Sequence, residues 1–145
     1  MSARSKILSL GVVEDRPEIA ARLVLPAQSS LVRIERLRVG GSEPFAIEAC
    51  YLSAAQFRDI NRTALERGSL YSCLERDYEI LVAYADEEID ATVADPQSAR
   101  MLGVPRDEPL LRIRQVVYST KGMPTIYMSG LYRSDRHTLN IRRYR

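Results

Sequence analysis

Pro17-Glu-Ile-Ala-Ala-Arg-Leu-Val-Leu-Pro26 and Pro96-Gln-Ser-Ala-Arg-Met-Leu-Gly-Val-Pro105 read as two versions of one segment. With Pro17 laid over Pro96 the match runs on without a gap, and Leu31-Val-Arg-Ile34 falls on Leu110-Leu-Arg-Ile113. Pro17, Ala20, Leu23, Pro26, Leu31, Arg33 and Ile34 each meet an identical residue. Two prolines and several apolar positions at one fixed offset indicate an internal duplication. A duplication constrains an architecture more than any single predicted element does.

Working outward, each copy reads as β-α-β-β. A strand comes first: Ile7 to Val13 in copy one, and Tyr84 to Val93 in copy two, where Glu87, Ile89, Ala91 and Val93 alternate. A short helix follows. In copy two Asp95 is its cap, Pro96 takes the first turn and Gly103 ends it; in copy one Pro17 starts it, and Ile19 and Leu23 share a face. Two strands joined by a tight turn complete the unit. Copy one has Leu31 to Val39, Gly40-Gly41-Ser42 and Phe45 to Leu52; copy two has Leu110 to Tyr118, Thr120-Lys121-Gly122 and Thr125 to Tyr132. Two helices are expected between the copies, one opened by a capping box at Ser53 and Gln56, the other, Leu70 to Asp77, by Ser69. The sum is an α+β fold: an antiparallel sheet of about six strands backed by helices, with one face packed and one available.

The bulk properties narrow the function. The 145 residues fit one domain with a single core. Hydrophobic residues make up 46% and charged residues 28%, and the net charge of +2 is too small for a nucleic-acid footprint. The basic ending Arg142-Arg143-Tyr144-Arg145 reads as a solvated tail. One histidine, His137, and two scattered cysteines, Cys50 and Cys73, argue against a metal site, a disulfide framework or a Cys/His catalytic pair. No cofactor is expected. The opening apolar run is broken by Ser9 and Gly11, which is unlike a signal peptide, and no stretch approaches a membrane span. The expected location is the cytoplasm.

Duplicated cores share packing positions, so function is sought where the copies diverge. Val32, Ile34, Arg36 and Arg38 point to one face of their strand, because side chains alternate with period two. Their copy-two counterparts are Leu111, Ile113, Gln115 and Val117, so the arginine pair is particular to copy one. On the return strand Ala46, Glu48 and Cys50 share a face, and an odd hairpin loop would turn Glu48 toward the arginines. Guanidinium groups suit planar, bidentate capture of phosphate or carboxylate. A cross-strand ion pair on the surface explains the same pattern. Ser69-Leu70-Tyr71 opens a helix whose free N–H groups can hold an anion, or simply forms a cap. Tyr127 and Tyr132 on the last strand fit either a site or the core.

The ordered set Arg36-Leu-Arg38, Glu43-Pro-Phe-Ala-Ile-Glu48, Tyr51-Leu52, Ser69-Leu-Tyr71, Glu87-Glu-Ile-Asp-Ala91, Ala94-Asp95, Pro109-Leu-Leu-Arg-Ile113, Gly122-Met-Pro124 and Tyr132-Arg-Ser-Asp-Arg136 resembles the UTRA domain over essentially the whole chain. This is the effector-binding domain of the HutC subfamily of GntR-type transcription regulators. The resemblance implies a chorismate-lyase-like fold, itself internally repeated. It also implies a homodimer that binds a small anionic metabolite (a phosphosugar, a carboxylate or an amino-acid derivative) and allosterically controls DNA binding by a winged helix-turn-helix domain ahead of it. The first residues here do not read as such a domain, so residues 1–145 are expected to be the effector domain alone, touching DNA only through the absent part. By motif, the resemblance places Arg36, Arg38, Ser69 and Tyr71 on the anionic group, Glu48 on hydroxyl or amino groups, and Tyr132 in the pocket wall. Binders of sugar phosphates in this family often carry a carboxylate two residues after the proline of the last hairpin. Ile126 stands there, which counts against an aminosugar phosphate. Two rivals remain: an enzyme like chorismate lyase, which shares the fold, and a dimerisation module without a ligand. The expectation is a regulator domain that is not an enzyme.

Overall fold

The computed structural model describes residues 3–144 as β1 (Ala3–Val13), α1 (Pro17–Arg22), β2 (Leu31–Gly40), β3 (Glu43–Ser53), α2 (Ala54–Phe57), α3 (Arg62–Glu66), α4 (Leu70–Tyr78), β4 (Val82–Val93), α5 (Pro96–Leu102), β5 (Pro109–Ser119) and β6 (Pro124–Arg133). The six strands form one antiparallel sheet in the order β1-β2-β3-β6-β5-β4. Exchange of the two copies leaves that order unchanged. The registers obey the same symmetry: Glu48 stands opposite Gly130 while Cys50 stands opposite Met128. The duplication is therefore a pseudo-twofold whose axis passes through the β3–β6 seam. Helix α5 packs on β3 and α1 on β6, so each copy's helix covers the other copy's return strand.

Local chemistry explains the elements. The Asp95 carboxylate accepts from the Ser98 N–H at 2.7 Å, Pro96 opens α5, and Gly103 closes it at φ 68°. In copy one the position matching Gly103 is Val24, which adopts φ 54°. A β-branched residue in the left-handed region is strained. The hairpins alternate as expected, and Ser69 caps α4 by accepting from the Ser72 N–H at 3.0 Å.

Three expectations need correction. The edge strands start at Ala3 and Val82 rather than Ile7 and Tyr84, because pairing with β2 and β5 carries them through residues whose alternation is weak. Three helices, not two, join the copies. Asn61 caps the middle one, accepting from the Ala64 N–H at 2.9 Å. The capping box at Ser53 and Gln56 does not form. Ser53 occupies the cap position without a side-chain hydrogen bond, and the helix ends at Phe57 after a single turn. The first free N–H, that of Ala54, is satisfied instead by the Ser30 carbonyl at 3.0 Å.

The helices α2, α3 and α4 cover one face of the sheet. Their main cluster joins Phe57, Leu70 and Leu74 to Ile34, Leu52, Val117 and Ile126. The opposite face carries two smaller clusters, around Leu23 under α1 and around Leu102 under α5. Burial of these side chains is the main favourable term for the fold. Among the described residues no helix is long and apolar enough to cross a membrane.

Candidate functional site

Four strands carry the polar end of the helix-covered face. Arg36 and Arg38 lie on β2, opposite Glu48 and Ala46 of β3; Gly130 and Tyr132 of β6 follow, then Ile113 and Leu111 of β5. Whether Glu48 joins the arginines depends on one residue. The β2–β3 hairpin closes with Gly40 opposite Glu43, an even connection that alone would set Ile47 against Arg36. Between Val39–Pro44 and Arg38–Ala46 the register slips, leaving Phe45 as an extra, bulged residue. The bulge restores the parity and turns Glu48 inward. The Phe45 ring also lies under the Arg38 guanidinium, 6.0 Å from its centroid.

Glu48 is 5% exposed, accepts hydrogen bonds from two groups and pairs in charge with a third. Arg36 Nη2 donates to its Oε1 at 2.9 Å, Arg38 Nη1 lies 3.7 Å from the same oxygen, and the Tyr132 hydroxyl donates to Oε2. One carboxylate thus serves two guanidiniums. The Nε–H groups of both arginines are buried and meet no acceptor among the described residues. Arg36 also reaches Cys50 Sγ at 3.6 Å. Burial pushes the Cys50 thiol up to about 11, so it stands as a neutral wall at physiological pH. Burial, reinforced by the Glu48 carboxylate, raises the Tyr132 phenol well above its ordinary range and keeps it a hydrogen-bond donor.

These groups open on a cavity of about 240 Å³. All six residues expected from the sequence line it: Arg36, Arg38, Glu48, Ser69, Tyr71 and Tyr132. Ser69 and Tyr71 arrive from the start of α4, across from the sheet. The Ser69 oxygen is engaged as an acceptor by the helix cap, which leaves its O–H free to donate. Tyr71 is 46% exposed and stands at the mouth. Tyr127 does not belong to the site; it packs in the Leu23 cluster on the opposite face. A larger cavity, of about 570 Å³, lies around Val24, Leu81 and Met123 at the other end of the sheet, and among the described residues no arginine lines it.

The rest of the lining is Cys50, Leu70, Gln115, Val117, Ile126 and Met128. Gln115 and Val117 are legible as the repeat counterparts of the arginines. Met128 is not, because the second hairpin is one residue longer and a fixed offset sends Glu48 to Tyr127, on the wrong face. Gly130 escapes sequence reasoning altogether. A Cβ there would lie 2.8 Å from the Tyr132 ring, 3.2 Å from Met128 Sδ and 3.3 Å from Glu48 Cγ. It clears the space in which Glu48 and Tyr132 meet.

A duplicated six-stranded sheet with an arginine-lined cavity under its connecting helices defines a class of effector domain, and the comparisons with known proteins agree. The model of the UTRA domain matches residues 1–138, and the chain belongs to that family. It is 27% identical over 138 residues to the HTH-type transcriptional repressor NagR of Bacillus subtilis, and 27% identical over 143 residues to the HTH-type transcriptional regulator GmuR of the same organism. These alignments take in 95% and 97% of this chain but only 56% and 60% of those proteins, so the chain spans little more than half the length of these curated relatives. A domain from Bordetella bronchiseptica assigned as the ligand-binding domain of a GntR-family transcriptional regulator superposes with a TM-score of 0.87 at 30% identity, covering 97% of this chain and 92% of that one. The effector domain of PhnF from Mycobacterium smegmatis shares the fold, with a TM-score of 0.87 at 20% identity over 99% of this chain and 88% of its own. The chain is a UTRA domain of the kind found in GntR-family transcription regulators, and its relatives are regulators rather than enzymes.

Proposed function

We propose that this domain senses a small anionic metabolite and relays its presence to a DNA-binding segment outside the 145 residues, in a cytoplasmic regulator of the HutC type. One observation carries the reading: two guanidiniums share a single buried carboxylate beside an open cavity, with their Nε–H groups unpaired. Two positive charges against one negative leave the site short of one anion. Buried donors are normally satisfied, so a phosphate or carboxylate is the natural complement. Ser69 and the first N–H groups of α4 add donors from the other side. The open cavity also argues against a purely structural dimerisation module, which would fill it with its own side chains.

The placement of β1 supplies a route for the signal. Ile7 stands opposite Arg36 and Ser5 opposite Arg38, so the strand that begins the chain lies directly beside the arginine strand. Arg62 of α3 donates to the Ile7 carbonyl at 3.1 Å and ties β1 to the helices over the cavity. A ligand that shifts either element displaces β1. The effector domain works as a homodimer, which is supported by the family and by the two open edges of the sheet.

Calorimetry tests the site. The wild type, Arg36→Ala and Arg112→Ala are titrated with inorganic phosphate, hexose phosphates, short carboxylic acids and acylated amino acids. Arg112 is the control, because it pairs with Asp90 at 2.6 Å on the face of the sheet opposite the cavity. Losing one bidentate arginine contact is expected to cost about 1.5–3 kcal/mol, roughly ten- to a hundredfold in affinity. Equal losses in both variants, or none in Arg36→Ala, refute the arginine site.

A further inference from the structure

The cavity straddles the pseudo-twofold axis, so equivalent positions of the two copies face one another across it. Copy one contributes Arg36, Arg38 and Glu48; their counterparts by strand register are Gln115, Val117 and Met128, with Ile126 beside Val117. Every charge in the first half is matched by a neutral group in the second. Strands β2 and β5 lie three strand spacings apart, about 14 Å between axes. A ligand whose head is held by the arginines must therefore present its far end to this neutral half.

Gln115 is the one polar side chain there, and its orientation is set from outside the cavity. Glu87 of β4 stands directly opposite it on the same face, and the Gln115 amide N–H donates to the Glu87 carboxylate. A carboxylate only accepts, so one of the two amide N–H groups is taken by Glu87, which turns the nitrogen toward β4 and leaves the carbonyl oxygen as the acceptor Gln115 offers a ligand. That oxygen takes a hydroxyl or amide donor. Around it Val117, Ile126 and Met128 offer only apolar surface. An ammonium group there would lose its hydration, and the carboxylate nearby, Glu87, is already engaged by the Gln115 amide. The enclosed space is small as well: a cavity of about 240 Å³ equals roughly eight water volumes of about 30 Å³ each, room for on the order of ten non-hydrogen atoms before a ligand reaches the mouth at Tyr71.

We infer that the effector is a compact amphiphile: an anionic head on Arg36 and Arg38, a short, mostly apolar body over Met128 and Ile126, and one neutral hydrogen-bond donor read by Gln115. Gln115 is thus the specificity-determining residue of the far end, positioned by Glu87. The inference rests on the anion-site reading given above.

The test compares matched probes by calorimetry on the intact chain: 4-hydroxybutyl phosphate, n-butyl phosphate, 4-aminobutyl phosphate and glucose 6-phosphate, with 6-hydroxyhexanoate and hexanoate as the carboxylate pair. The wild type is expected to bind the better hydroxylated probe about three- to tenfold more tightly than its alkyl partner, the value of one hydrogen bond. The amino and hexose probes are expected to bind more weakly than the alkyl one. Gln115→Leu should erase the hydroxyl preference and leave alkyl binding within about twofold of wild type, while Arg36→Ala should weaken both members of the pair at least about tenfold. A hydroxyl preference that survives Gln115→Leu, or tighter binding of the amino or hexose probe, overturns this inference and leaves the anion site standing. Binding unaffected by Arg36→Ala, or no binding of any probe to the wild type, overturns both.

Discussion

Replacing Glu48 by glutamine keeps the shape of the side chain and removes the negative charge that Arg36 and Arg38 share. The two arginines are two residues apart on β2, so their charges sit about 6.7 Å apart along the strand. At an effective dielectric constant of about 20 their repulsion is about 2.5 kcal/mol. In the wild type Glu48 outweighs it, with oxygen contacts at 2.9 Å and 3.7 Å to the two groups. Removing one member of a buried ion pair typically costs about 3–5 kcal/mol. The glutamine oxygen still accepts one hydrogen bond, and the Arg38 side chain is 30% exposed, so a loss near the lower end, about 3 kcal/mol, is expected. For a domain of this size that corresponds to a fall of roughly 6–12 °C in melting temperature. The variant should also become dependent on anions. Phosphate added to about 50 mM should recover a large part of the loss by binding the native state alone. Urea unfolding of wild type, Glu48→Gln and Arg112→Ala, each with and without phosphate, reads both effects. Arg112→Ala reports the general salting effect of phosphate on any folded chain. A Glu48→Gln variant within about 0.5 kcal/mol of wild type, or one that phosphate stabilises no more than it does Arg112→Ala, refutes the electrostatic account of the site.

Three other outcomes follow from the same geometry. Gly130→Ala should lose about 1–3 kcal/mol in urea unfolding and weaken anion binding with it, since the added methyl has only the Tyr132 ring, Met128 and Glu48 to displace; unchanged affinity would mean that Tyr132 does not shape the pocket. Val24→Gly should gain about 0.5–1 kcal/mol, because Val24 sits at φ 54° with 79% of its surface exposed and so surrenders strain without losing much burial; a loss of stability on denaturation would show that Val24 packs in solution. Stability should fall as pH rises from 9 to 11. Cys50 titrates near its ordinary value of 9.0 when unfolded and at about 11 when folded, so the native state holds the extra proton in that window. Its contribution is present below pH 9, is lost by pH 11 and amounts to at most about 2.7 kcal/mol, so Cys50→Ala should make the slope of unfolding free energy against pH shallower, with the raised Tyr132 phenol keeping part of it above pH 10.

Much of this molecule is legible without coordinates, for local physical reasons. The repeat of Pro17–Pro26 in Pro96–Pro105 implies two similar units, and strand alternation with period two places Arg36 and Arg38 together on one face and their counterparts Gln115 and Val117 on the matching one. The cap of Ser69 and the glycine stop at Gly103 depend only on neighbours a few residues away. What required the tertiary structure depends on register and on distant contacts. The bulge at Phe45 decides that Glu48, not Ile47, faces the arginines, and no residue pattern fixes where a bulge falls. The extra residue in the second hairpin makes Met128 the partner position of Glu48. Gly130 matters only because Glu48 and Tyr132, far apart in the chain, converge above it. Gln115 acquires a direction only when β4 sets Glu87 opposite it. Side-chain direction along a strand is a local property of the backbone, whereas which strands meet, and in what register, is settled by the packing of the whole sheet.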